Sequence, residues 1–400
     1  MVVTMKNSKV SIFIIALLCI TFSLAYANEP QSFQQPRIYS IPLIDLSNEK
    51  QRQTVVDREP EQSLGHLASV LLEDMKTIIS VYTKGLGRGV IVMKRSTDGG
   101  LTWSERLPVP KSWDTSLGTP TIFRVIDKQG KKRLIVFSGL YPIRTSLSED
   151  DGKIWTELQP IGGENPFGGM VTMSSMERLN NGDYMALFHD NGKYLHANGT
   201  VMQPPIFIVY KTISTDGGLT WTQPEIIVSK PPLQLCEPGI IRSPDGKQLA
   251  VLLRDESQQY NSYVIFSNNE GKTWSDPREL PDALTGHRHV GKYAPDGRLL
   301  ISFRDMKLKS STHGDWVAWV GSYDDIVKGS EGQYRVRLMK NYKNDKGVEG
   351  DCCYTGVELL TDGTFVATTY GHWSDVEKAY IASVRLNLKE IDFKLNSKAY

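Results

Sequence analysis

Apolar and polar positions alternate along this chain in short runs. VIVM (90–93), YMALF (184–188), LAVLL (249–253), LLISF (299–303) and FVATT (365–369) each begin one to three residues after a Gly or Asp. Runs of this length with a period near two, punctuated by turn formers, predict strands rather than helices. Six pairs of runs are joined by a tight turn: LEDM at 72–75, DKQG at 127–130, NNGD at 180–183, SPDG at 243–246, APDG at 294–297 and LTDG at 360–363. Each pair predicts a β-hairpin, and a further apolar run follows each one. The chain from about residue 61 onward therefore divides into six similar units.

A second pattern repeats at the outer end of these units. STDGGLTW occurs at Ser96–Trp103 and again at Ser214–Trp221; SEDDGKIW lies at Ser148–Trp155 and SNNEGKTW at Ser267–Trp274. Asp bonds its own backbone two residues on, Gly accepts positive φ, and the Trp lays an apolar face over the hairpin. The copies start 52, 66 and 53 residues apart, a period that suits one four-stranded propeller blade. The pattern resembles the Asp-box (BNR) repeat of the sialidase superfamily. The resemblance implies an all-β, six-bladed β-propeller over residues 61–400, with RIYSIPLIDL (37–46) as a strand that closes the ring on the last blade. It implies no chemistry by itself, because the box is a structural staple.

Aligning the hairpins on their turns brings chemistry-bearing residues to one level. Eight residues before the position in each turn equivalent to Asp245 stand His66, Glu237, Arg288 and Tyr354, with Thr121 and Met173 in units 2 and 3. Seven or eight residues after the turns stand Tyr82, His189, Arg254, Arg304 and Tyr370, with Phe137 in unit 2. Start of the first strand and end of the second share one end of a hairpin. All these residues are thus expected around the axis on one face, with the boxes on the other. Packing does not select such a ring; a concave site does. Alternation is expected to turn His287 and His289 away from Arg288.

Composition narrows the partners. Residues 1–27 have Lys6 and Lys9, an apolar stretch and an Ala25-Tyr26-Ala27 cleavage pattern, which reads as a secretory signal peptide with residues 28–60 as an N-terminal segment. Export to the periplasm or beyond it follows, with no membrane partner after cleavage. Formal net charge is +1, so no basic field invites nucleic acid. Cys236, Cys352 and Cys353 remain after cleavage, too few for a disulfide scaffold. They are expected to pack as small buried groups. No spaced metal-ligand motif and no cofactor motif occurs, and nothing in the sequence sets the oligomeric state.

Three arginines at one mouth (Arg254, Arg288, Arg304) fit an anionic ligand, since guanidinium forks grip carboxylates. CCYTGVELLTDGT around Tyr354 and CEPGIIRSPDGKQLAVLLRDE around Glu237 and Arg254 resemble the sialidase segments carrying the Tyr nucleophile, its Glu and one arginine. That resemblance implies an exo-sialidase-like hydrolase. It breaks where a first arginine belongs, now His66, and where an acid/base Asp belongs, in TKGLGRGV (83–90). The favoured expectation is therefore elimination on a non-reducing-end uronic acid of a polysaccharide-derived, ulvan-type oligosaccharide. In it Tyr354, His66, Glu237 and His189 handle protons, and Arg254, Arg288, Arg304, Tyr370 and Tyr82 bind substrate. A glycan-binding propeller without chemistry is the third reading.

Overall fold

The computed structural model describes residues 39–196, 205–344 and 346–397. The signal peptide, the segment 28–36 and the first residues of the expected closing strand lie outside the described residues. Six antiparallel sheets follow one another in chain order, and each blade's innermost strand comes first. Those innermost strands are Leu64–Leu71, Thr121–Ile126, Val171–Arg178, Leu235–Arg242, Gly286–Tyr293 and Gly356–Leu359. They surround an axial channel of about 560 Å³ that all six help to line. This is a six-bladed β-propeller, as the repeats predict.

The second strands, such as Ile78–Lys84 and Leu299–Asp305, are buried along nearly their whole length. They lie between sheet neighbours and are packed on both faces, so their sequences read as continuous apolar runs. Core clusters form between successive blades: Leu134, Val136 and Ile122 of blade 2 pack on Ile79 and Val81 of blade 1.

Ring closure differs from the expectation. The segment Leu43–Asp45 pairs in parallel with Tyr334–Met339 on the outer edge of blade 5. Closure belongs to Gln53–Asp57, in the stretch assigned to the N-terminal segment 28–60, which pairs antiparallel with Tyr380–Asn387 as the outermost strand of blade 6. Gln53 and Thr54 are half-buried and Val55 is exposed, while Val56 and Asp57 turn into the fold. Such an edge strand carries too few apolar residues to be seen by pattern.

Each box caps the hairpin-turn end of its blade. Ser96, Ser148, Ser214 and Ser267 pair with Ile78, Leu134, Tyr184 and Leu249, which stand one to four residues after the four turns. In the third copy Asp216 Oδ1 accepts from the Leu219 and Thr220 amides at 3.0 and 2.9 Å and from Ser214 Oγ at 2.8 Å. Trp221 Nε1 donates to the Gly218 carbonyl at 3.1 Å. Blade 5 has no box: a short helix, Tyr323–Lys328, with a Ser322/Asp325 capping box connects its outer strands.

Candidate active site

The opposite end of the hairpins carries the titratable ring, and backbone bulges aim it. Register shifts fall between Gly65 and Ala68, Cys236 and Gly239, and His287 and Val290. The residue inside each bulge has positive φ: His66 at 49°, Glu237 at 50° and Arg288 at 59°. Bulges re-aim side chains and cluster beside functional sites, and left-handed backbone at a non-glycine residue persists only where the surroundings demand it. Three blades thus use the same device to point one residue at the axis.

Tyr354 and Glu237 meet at the centre. The Tyr354 hydroxyl donates a hydrogen bond to Glu237 Oε1, which also accepts from Arg254 Nη1 at 3.0 Å. Both side chains are buried, and Glu237 Oε2 has no protein partner among the described residues. Burial alone would raise the Glu237 carboxyl; Arg254, His287, the Tyr354 hydroxyl and Arg288 outweigh it and hold the group far below the usual carboxylate range. Burial pushes the Tyr354 phenol well up, and the Glu237 charge pushes it further. The resting pair is a neutral phenol on a carboxylate. His66 stacks on the Tyr354 ring at 4.2 Å, and the Arg288 guanidinium lies 5.0 Å from its centre while also lining the channel below.

Beside this pair lies a corner the alignment does not contain. Asp351 Oδ2 accepts from the Tyr370 hydroxyl at 2.6 Å and stands 3.3 Å from His66 Nε2, while Oδ1 accepts from Arg304 Nη1 at 3.2 Å. His66 Nδ1 is bonded to Thr119 Oγ1 at 2.6 Å. Both ring nitrogens of His66 are therefore engaged, which removes it as a free base. Burial would raise the Asp351 carboxyl, but His66, Tyr370 and Arg304 bring it down to about 2.

The other expected residues fall into three groups. His189 stands behind Glu237: its Nδ1 accepts from the Glu237 amide at 3.3 Å, and burial holds its pKa down at about 4. It supports the Glu237 backbone. Tyr82 is not at the mouth. It is fully buried and its hydroxyl donates to Asp57 at 2.6 Å, on the closing strand. The arginines are present but engaged: Arg254 also bonds Glu256 at 2.5 Å, and Arg304 also faces Glu349 at 3.6 Å. Only Arg288 lacks a carboxylate partner among the described residues, and its Nη1 is unpaired.

Four features escape the alignment. His287 lies among the charges of Arg254, Glu237, Arg304 and Asp351, with burial holding its pKa well down; the bulge at Arg288 breaks the alternation that would have turned it away. His289 does face the core, bonding the Leu284 carbonyl and packing on Phe303. Glu256 follows Arg254 by two residues just past the strand end, and Asp351 precedes the first strand of blade 6, so neither has a counterpart among aligned hairpins. Cys352 and Cys353 are joined in a disulfide between neighbours, not packed as free thiols; among the described residues Cys236 alone is free, and it is buried. The adjacent-residue ring fixes the segment between Asp351 and Tyr354, with Cys353 at φ 83°.

No protein-family model matches this chain, and no curated protein matches it significantly. Solved structures do. A Dyadobacter fermentans protein of unknown function superposes with a TM-score of 0.66 at 16% identity, over 84% of this chain and 98% of that one. The intramolecular trans-sialidase from Ruminococcus gnavus gives 0.55 at 12%, over 82% and 95%. The leech intramolecular trans-sialidase gives 0.57 at 14%, over 84% and 70%. The fold is a sialidase-like propeller; identities this low show nothing beyond it.

Proposed function

We propose that the chain is a carbohydrate-active enzyme that cleaves a glycosidic bond at this mouth, with Tyr354 as nucleophile and Glu237 as its base. The observation that carries this reading is the hydrogen bond from the Tyr354 hydroxyl to an ionised, buried Glu237 held by Arg254. As Tyr354 Oη attacks the anomeric carbon, its proton passes to Glu237 and the bond to the leaving oxygen breaks. That oxygen takes a proton from an acid, and water later releases the sugar from Tyr354. Glu256 fits the acid. Burial raises its carboxyl and Arg254 only partly offsets this, whereas Asp351 is held ionised. The Ruminococcus gnavus and leech proteins with this fold are intramolecular trans-sialidases; the Tyr/Glu chemistry is what the resemblance of the segments around Tyr354 and Glu237 implies.

Elimination on a uronic acid is the second reading. It draws on Arg288, the arginine left without a carboxylate partner. It loses support at His66, whose two nitrogens are engaged. A mechanism-based fluorinated glycoside panel separates the readings: covalent mass at Tyr354 is expected, and an unsaturated uronate product in its place would overturn the hydrolase. Turnover of no glycan in a broad panel would leave a binding propeller. Tyr354→Phe should lower turnover by about 10²–10⁴ while substrate still binds. Export through residues 1–27 belongs to the same proposal, and N-terminal sequencing of protein from cell fractions should read Asn28 first.

A further inference from the structure

We propose that Asp351 is a built-in anion that fills the cationic corner of the mouth, so that the sugar taken there is uncharged at that position. Three donors converge on this one carboxylate. Tyr370 and His66 meet Oδ2 and Arg304 meets Oδ1, at 2.6, 3.3 and 3.2 Å. Tyr370 is fully buried, Arg304 is 8% exposed and His66 is half-buried, while the Asp351 side chain is 43% exposed. The donors thus face inward on a carboxylate that itself looks outward. A ligand carboxylate of the same size would need the same donors.

The rest of the mouth points the same way. Arg254 is held by Glu237 and Glu256, and Arg304 is shared between Asp351 and Glu349. Arg288, the third arginine, lies against the Tyr354 ring and the channel. Arg254 and Arg304 therefore meet four carboxyl groups between them, and neither keeps positive charge free for a uronate or sialate. An incoming carboxylate would stand against Asp351 with like charge, which is exclusion rather than recognition. Ionised Asp351 uses each oxygen for inward donors yet keeps lone pairs for solvent-side donors. Sugar hydroxyls supply such donors. The ligand class is a neutral sugar that places a hydroxyl, or an adjacent pair, on Asp351.

The substrate part of this inference rests on the glycosidase reading; the filled corner does not, and the test keeps them apart. Acetate, a minimal carboxylate, is titrated into the full chain by calorimetry, alongside glucuronate and N-acetylneuraminate. The wild type should show no saturable acetate binding, and Asp351→Ala should gain it with at least a tenfold rise in affinity. Adding Arg304→Gln to Asp351→Ala should abolish the gain. Asp351→Asn keeps the shape if the alanine variant unfolds, and it should likewise bind glucuronate at least tenfold better than the wild type. Acetate or glucuronate binding that is tighter in the wild type than in both variants, or unchanged by them, overturns the proposal. Turnover of neutral glycosides that survives Tyr354→Phe would instead overturn the nucleophile assignment and leave the acetate result standing.

Discussion

Glu256 and Asp351 share one mouth, and their surroundings push them in opposite directions. Burial raises Glu256, while His66, Tyr370 and Arg304 override burial at Asp351. Carboxyls driven apart in this way take different roles at neutral pH. If Glu256 delivers the proton, activity requires its protonated form and falls as pH rises through its raised pKa. Glu256→Gln should abolish that alkaline limb and cost much more for alkyl than for nitrophenyl glycosides, whose leaving groups need no acid. Equal losses on both substrates would place the acid elsewhere. The low Glu237 carboxyl sets no limb in the neutral range, because it stays ionised throughout.

At the scale of the element, the four boxes form one structure under four spellings. In the second copy Ile154 replaces Thr, and Asp150 keeps its backbone bonds and the Ser148 hydroxyl but has no Thr hydroxyl to accept from. In the fourth, Asn269 replaces Asp; its Oδ1 takes the Thr273 amide at 2.9 Å while its Nδ2 donates to Thr273 Oγ1 at 2.8 Å, reversing one bond. The glycine is the fixed part. Gly218 has φ 89°, and an added Cβ would stand 1.9 Å from Ile135 Cδ1 on blade 2. Gly218→Ala combines backbone strain with a clash, and should destabilise the fold by more than about 1 kcal/mol in urea unfolding. The same substitution at Gly130 meets open space and only a φ of 84°, so its loss should be the smaller of the two.

Across the whole molecule, Asp57 is a focus of ring closure. Asp57 on the closing strand of blade 6 accepts from Tyr82 at 2.6 Å and Arg106 at 2.7 Å, and pairs with Lys94 at 3.5 Å, all from blade 1 or the segment just after it. Lys94 and Tyr82 are buried there. Asp57→Ala leaves the buried Tyr82 phenol without its acceptor and the buried Lys94 ammonium, still bonded to the Val56 carbonyl, without its countercharge, and should cost about 3 kcal/mol, read as a lower unfolding midpoint. Acid should loosen the molecule earlier than carboxylates alone predict. Burial holds His189 and His289 at about 4 in the fold, against 6.5 unfolded. Between those values the unfolded chain binds the protons and the fold does not, so stability is complete above about 6.5 and falls as pH drops toward 4. His289→Gln should flatten that fall; an unfolding midpoint flat over this window in the wild type would refute it.

The sequence by itself determined six hairpins, four boxes and which end of each hairpin carries His66, Glu237, Arg254, Arg304 and Tyr354. These follow from local rules: a period of two, turn chemistry, and strand ends that share a hairpin end. The tertiary structure alone decided what each charge faces. A bulge of one residue put His287 among the charges and is invisible to a count along the chain. Asp351 and Glu256 stand outside the strands, where no alignment reaches. Tyr82 occupies the expected level yet points to Asp57, because the closing strand came from 53–57 and not from 37–46. Spacing along a strand fixes height on the propeller; the partner of a buried charge is set by which distant segment the folded ring brings against it.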